Sequence, residues 1–325
     1  MKKILLSVFA VAALASCVQT ETINPLKAIS FGDAYVSNST KAIYGNQGEE
    51  GVQLVDAFQV WGTMTTEEDV TVTLYEGANV IRDGKAYGVA WTCDATRFWT
   101  PDCEYAFYAV VDGRVAKVAG TSANANVTVA NGVPTKIAYE ADGQNDLLYG
   151  ATTKSTQGGL AEPDPALVAF TMEHLLSLVK VSFINSVNTS DNAYTYKITD
   201  VNVATWSDGA YDIATKTWAA KDGSTNKTLA FEEINSLAYA TTATPVGAQL
   251  IIPDQPIDIS FTYEEKLNGS SYITKNVSKT VVATAKKGYL YNITVEFQKN
   301  NEIKFTIDSV DGYTTDTENG GVTIQ

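Results

Sequence analysis

Histidine is almost missing from this chain: His174 is the single one in 325 residues. A Ser-His-Asp triad would have to be built on it, and no nucleophile elbow accompanies it. Its apolar surroundings, Met172 to Val179, read as those of a packed, hydrogen-bonded core residue. Cysteine is scarce as well, with three. Two of them and one distant histidine do not make a zinc site, and no Gly-rich loop has phosphate-binding spacing, so no metal or other cofactor is expected. Basic residues are outnumbered, 23 Lys and Arg against 37 Asp and Glu, for a formal charge of −14. Nucleic-acid binding runs on Lys and Arg neutralising phosphates, so that partner class is excluded. The 37 acids offer no spaced pair of the kind glycoside hydrolysis uses, and most fall in turns. Long apolar runs are missing too, and none reaches the ~20 residues of a membrane-spanning helix.

The first segment is a leader. Lys2 and Lys3 precede an apolar run from Ile4 to Leu14, the length of a signal h-region. Leu14-Ala15-Ser16-Cys17 then has the bacterial lipobox pattern, in which small residues fit the peptidase and the Cys17 thiol accepts diacylglycerol. Residues 1–16 are therefore expected to be removed and Cys17 acylated. A triacylated Cys17 would supply the second chain that stable anchoring needs. Export also gives Cys93 and Cys103 two options, a disulfide closing a short loop or two free thiols, and spacing leaves both open.

What is abundant is Thr, Val, Tyr and Asn, punctuated by turn signals, with 18% charged residues against ~25% in an average soluble protein. Such a chain is expected to be all-β, built of short strands. Ile29 and Phe31 alternate with Ser30 and Gly32 as in a half-buried strand. Residues 37–51 lack any pattern a core could use, and read as an exposed loop open to proteolysis, with the lone basic Lys41 in it. Asp83-Gly84 is expected to join Asn79–Arg82 to Lys85–Trp91 as a hairpin, and Asp112-Gly113 to join Tyr105–Val111 to Arg114–Ala119. The Gly- and Pro-bearing stretch 152–166 reads as a linker, with a first domain over 52–158 plus strand 28–36, and a second over 159–325. Residues 167–183 fit either period and are assigned to strand on their β-branched flanks. Asp208-Gly209 reads as a turn, and Phe231, Ile234 and Leu237 as a turn or two of helix. Ile303, Phe305 and Ile307 alternate strictly. Trp91, Trp99, Tyr105, Phe107 and Tyr108 read as sandwich core, with a sugar-stacking platform as the rival.

The ordered set of segments resembles the fimbrillins, the lipoprotein-derived pilus subunits of Bacteroidales. The likeness begins at the lipobox and at Ile29–Ala42, ISFGDAYVSNSTKA. It continues through Phe58–Met64, FQVWGTM, and Trp91–Val111, WTCDATRFWTPDCEYAFYAVV. Asp146–Thr153, DLLYGATT, resembles the end of the family's first domain, and Val168–Phe183 the opening of the second, where a single His is common. Ala248–Glu264, Gly288–Phe297 and Ile303–Asp316 resemble its later strands.

The resemblance implies two transthyretin-like β-sandwich domains and a structural role in adhesion, with no chemistry of its own. It implies an outer-membrane lipoprotein, surface-exposed, processed by a trypsin-like protease between Lys41 and Ala42. The strand bearing Ile29 and Phe31 would then leave, and a C-terminal segment from another copy or a related pilus subunit would fill the groove. Physically, Ile303, Phe305 and Ile307, within the segment 302–325, share the two-residue spacing of Ile29 and Phe31, and side chains two apart face one side of a strand. Two residues depart from the family. Lys41 stands where Arg is best known, with Lys27 the only other basic residue nearby, and Tyr313 where many relatives have Trp. Asp308-Ser309-Val310 resembles an O-glycosylation acceptor of these bacteria. The rival to the pilus reading is a lipid-anchored sandwich that binds glycan without polymerising, and a glycosidase is a further one.

Overall fold

A computed structural model describes residues 26–36, 53–85, 88–112, 126–187, 194–267, 270–299 and 302–311. Cys17, Lys41, Ala42, Tyr313 and the hairpin expected at Asp112-Gly113 therefore lie wholly or partly outside the described residues. All regular elements named below are strands, as alternation along the sequence dictates. The first half contains β1 (Ser30–Val36), β2 (Gln53–Leu54), β3 (Ala57–Thr66), β4 (Thr71–Ile81) and β5 (Thr92–Cys93). It continues with β6 (Cys103–Asp112), β7 (Asn126–Ala130), β8 (Val133–Glu140), β9 (Leu147–Ser155) and β10 (Leu167–His174). Next come β11 (Ser177–Asn185), β12 (Tyr194–Trp206), β13 (Asp208–Asp212), β14 (Thr217–Ala220), β15 (Asn226–Ala230) and β16 (Ile234–Leu237). The last are β17 (Thr244–Ile251), β18 (Ile257–Leu267), β19 (Ser270–Val282), β20 (Tyr289–Phe297) and β21 (Ile303–Asp311).

The largest sheet has the order β2-β1-β10-β9-β6-β3-β4-β5. Laid flat, β1 and β4 would be about 24 Å apart at ~4.8 Å per strand. Yet Phe31 of β1 and Tyr75 of β4 have ring centroids 5.1 Å apart. The sheet is therefore rolled over its own apolar face, and both layers of this sandwich come from one ladder. An antiparallel bridge between Ala28 and Phe98 closes the roll on the β1 side. The second sandwich packs β17-β11-β20-β21 against β15-β12-β18-β19, with β16 paired to β12. Its core takes Val179, Val181 and Phe183 from β11 and Ile259 and Phe261 from β18.

A four-stranded sheet, β14-β13-β8-β7, draws two strands from each half of the chain. With Trp61, Tyr149, Leu175, Leu176, Ile252 and Leu290 it builds a third core between the sandwiches. The indole N–H of Trp218 donates to the Leu175 carbonyl at 2.8 Å inside it.

Four local expectations are corrected. Thr152–Ser155 belongs to β9 and β10 rejoins the same sheet, so 152–166 does not part the sheets; they part at Leu175-Leu176. Asp208-Gly209 is not a turn but the start of β13, where a Cβ on Gly209 would meet Trp218 at 3.0 Å and Ile252 at 3.1 Å. Ile234–Leu237 is strand, not helix: the three-residue spacing arises because β16 bulges, setting Ile234 and Leu237 opposite Ile198 and Tyr196. Asp83 and Gly84 do turn, with φ of 48° and 72°, but β4 finds its partner at Thr92–Cys93 instead of Lys85–Trp91. Residues 167–183 are strand, as assigned.

Candidate functional site

The first strand is where the sequence expectations converge. β1 runs parallel to β10 and antiparallel to β2, so it is an internal strand of its sheet. The backbone from Lys27 to Phe31, leading into β1, is tied to the 91–99 segment: Ile29 N–H donates to the Arg97 carbonyl at 2.8 Å, Trp91 N–H to the Phe31 carbonyl at 2.8 Å, and Trp99 N–H to the Lys27 carbonyl at 2.9 Å. The last part of the strand accepts Val55 N–H at the Ala34 carbonyl, 2.9 Å away. Alternation then turns Ile29 and Phe31 inward.

Phe31 is fully buried, with rings on several sides. Tyr75 and Phe107 meet it edge-on at 5.1 and 5.6 Å, Phe58 edge-on at 6.4 Å, and Phe170 stacks on it at 6.4 Å. It is the plug of an aromatic cavity to which four other strands contribute.

Between Phe31 and Ala34 the strand bulges: these residues oppose Val168 and Phe170, three steps against two. Gly32 fills the tight side, where a Cβ would meet the Val89 carbonyl oxygen at 2.9 Å. Asp33 adopts φ of 42°. Both of its carboxylate oxygens accept the Gly88 N–H, at 2.8 and 3.0 Å. Burial pushes its carboxyl above the ordinary range, and the Gly88 bond offsets this only in part. The plain alternation of the sequence does not anticipate this Gly-Asp bulge. The signal was present as a glycine and a turn-forming acid inside an otherwise alternating strand.

The candidate donor strand is elsewhere. β21 pairs antiparallel with β20 from Phe297–Ile303 to Tyr289–Asp311 and is the edge of its sheet. Ile303, Phe305 and Ile307 are half-buried against the second core. The Phe305 ring lies 6.4 Å from Phe261 and under the Lys279 ammonium at 4.9 Å. Within one chain, then, Ile29 and Phe31 plug the first core while their candidate replacements cover the second. Asp308 of the candidate glycosylation motif is fully buried in β21, and burial pushes its carboxyl up.

The other candidates resolve as follows. Cys93 and Cys103 are free thiols. Register forbids the bridge: Cys93 opposes Val80, which opposes Phe58, whereas Cys103 opposes Thr66. From Phe58 to Thr66 is about 26 Å at ~3.3 Å per residue, and a disulfide spans less than ~7 Å between Cα atoms. Burial raises both thiols. Trp91, Trp99, Tyr105 and Phe107 are core, which removes the sugar-stacking platform, and Tyr108 is half-buried on the opposite face. His174 is buried, with Nδ1 paired to Asp146 at 2.5 Å. No group of three His, Cys, Asp or Glu side chains is placed to hold a metal among the described residues.

No curated protein matches the chain. Among solved structures, it is similar to a fimbrial protein from Bacteroides vulgatus, with TM-score 0.61 and 15% identity over 88% of this chain and 99% of that one. It is also similar to a candidate cell adhesion protein from Bacteroides ovatus, with TM-score 0.50 and 16% identity over 90% and 99%. At these identities the likeness is one of fold. The model of the fimbrillin-like family matches residues 40–309, most of the sequence, and the chain belongs to that family.

Proposed function

We propose that this protein is a structural pilus subunit serving adhesion, exported as a lipoprotein on Cys17 and freed by a cut between Lys41 and Ala42. Assembly proceeds by strand exchange. β1 leaves, and the vacated groove takes a strand from a neighbouring subunit; β21, with Ile303, Phe305 and Ile307, is the strand this chain donates. The protein acts by binding and polymerising, not by turning over a substrate. Its partners are other pilus subunits, the outer membrane through the lipid, and the protease that cuts it.

One observation carries this reading. β1 lies N-terminal to residues 37–52, so a single cut there leaves a strand, buried from Phe31 to Ala34, held by non-covalent contacts alone. Losing it bares apolar floor around Phe58, Tyr75, Phe107 and Phe170, and the unpaired edge of β10. Such an edge recruits a strand.

The test is the N-terminus and intact mass of the protein recovered from the cell surface. A chain beginning at Ala42 is the expected result. A chain still beginning at acylated Cys17 in assembled pili would refute strand release.

A further inference from the structure

The groove that β1 occupies has requirements beyond apolarity, and they bear on which strand can replace it. This inference rests on the strand-exchange reading above. Three features of β1 are matched by the wall around it. The position after the aromatic plug has no room for a Cβ, because the Val89 carbonyl oxygen stands 2.9 Å from where it would be and Leu167 side-chain atoms stand at 3.1 and 3.3 Å. The next position has φ of 42°, which Asp and Asn adopt readily and β-branched residues do not. That same position supplies a carboxylate to the Gly88 N–H.

β21 fits the first part of this seat. With Ile303 in the place of Ile29, Phe305 falls in the place of Phe31. Thr306 then falls on Gly32 and Ile307 on Asp33. Thr306 brings a Cβ against a backbone oxygen. Ile307 is β-branched at a positive φ and leaves the Gly88 amide without its acceptor. Entering without the bulge does not rescue it. Ile307 would then oppose Phe170 in the place of Ala34, which is fully buried, and overfill the core. Phe-Gly-Asp occurs once in the chain, in β1 itself.

We infer that the groove selects against a second copy's β21 and takes a strand from a different subunit, one with Gly and then Asp or Asn after its aromatic anchor. The bulge is thus a specificity element: it admits the leaving strand and a heterologous partner, and disfavours self-filling.

The experiment uses the full chain with a protease site engineered within residues 37–52. After nicking, labelled synthetic peptides compete with β1, and occupancy is read by native mass spectrometry. The peptides are residues 28–36, residues 302–311, and the latter with Thr306→Gly and Ile307→Asp. The 28–36 and doubly substituted peptides are expected to enter, and the unmodified 302–311 peptide to reach about tenfold lower occupancy, the size of one lost buried hydrogen bond. Equal occupancy by 302–311 and 28–36 would overturn the selectivity and leave strand exchange standing. Failure of every peptide, 28–36 included, would overturn the exchange reading itself, and the selectivity with it.

Discussion

The ring of Phe31 stacks on that of Phe170, with centroids 6.4 Å apart and planes 17° from parallel, across the parallel ladder of β1 and β10. The pair couples the first strand to one laid down some 140 residues later. Phe31→Ala should therefore cost about 3–5 kcal/mol, the usual loss for a buried Phe. Chemical denaturation of the intact chain measures this. In a chain nicked within residues 37–52, the same substitution should release the strand spontaneously, seen as a mass loss on size exclusion. Retention of the Phe31→Ala strand would mean that backbone bonds, not the plug, hold β1.

The thiol geometry makes a second prediction. The acyl-free chain lacking Cys17 should titrate two thiols when unfolded, and both should react slowly when native. Burial holds Cys93 and Cys103 in the protonated form, and the thiolate is the reactive species. Mild oxidation should leave both free. A loss of two mass units with no titratable thiol would contradict the strand register.

The pH dependence of stability should have two limbs. Burial raises the carboxyls of Asp33, Glu265 and Asp308, against partial relief from Gly88 at Asp33 and from Lys275 at Glu265. At these sites the native state holds its proton more firmly than the unfolded chain. Stability therefore falls as pH rises from the ordinary carboxylate value through the raised ones. Asp142 acts in the opposite sense. Burial pushes it up, but hydrogen bonds from Asn145, Gln144 and Tyr139 outweigh that and hold it below the ordinary value. Its contribution is present above that value and is lost as pH falls through the lowered one. The Tm should thus fall as pH rises above the ordinary carboxylate range, and drop again as pH falls below it. Asp33→Asn keeps an acceptor for Gly88 and should flatten the first limb. An unchanged slope in that variant would remove Asp33 from the account.

The third core offers a fourth prediction. Trp218→Phe removes the donor to the Leu175 carbonyl and leaves that buried oxygen without it. The expected cost is about 1–3 kcal/mol. Because the bond ties β14 to the segment joining the two sandwiches, near-ultraviolet circular dichroism should report loosening there before global unfolding. A single unaltered transition at the wild-type midpoint would show the bond to be dispensable.

How legible all this was in the sequence follows the range of the interactions. Alternation in Ser177–Asn185 reads directly as buried and half-buried positions in turn, because a strand's period is local. Ile234–Leu237 misled because a bulge converts period two into a spacing of three, which imitates helix. Gly209 misled because its reason is contact with Trp218 and Ile252, not its own φ. The shared sheet was invisible: β8 meets β13 through a register, Tyr139 with Gly209, that no local pattern encodes. At the candidate site, Phe31 was legible as an inward residue, but the Asp33–Gly88 bond joins positions 55 residues apart.

The donor assignment of β21 gives the last prediction. Phe305 is half-buried, beside Phe261 and beneath Lys279, at a sheet edge. Phe305→Asp should cost the monomer about 1–2 kcal/mol, since only part of the ring leaves water on folding, and the second core retains the mutual ring contacts of Phe183, Phe261 and Phe297 without it. Circular dichroism should therefore still show a folded β protein. In a neighbouring subunit's groove the same carboxylate would have to take the place of a buried anchor such as Phe31, at a far greater cost for a charge. Pili isolated from cells expressing Phe305→Asp should be absent or lack this subunit, while Phe305→Leu should assemble. Incorporation of the Phe305→Asp chain at normal levels would show that β21 is only an edge strand of its own sandwich, and the donor would have to be sought elsewhere in the chain.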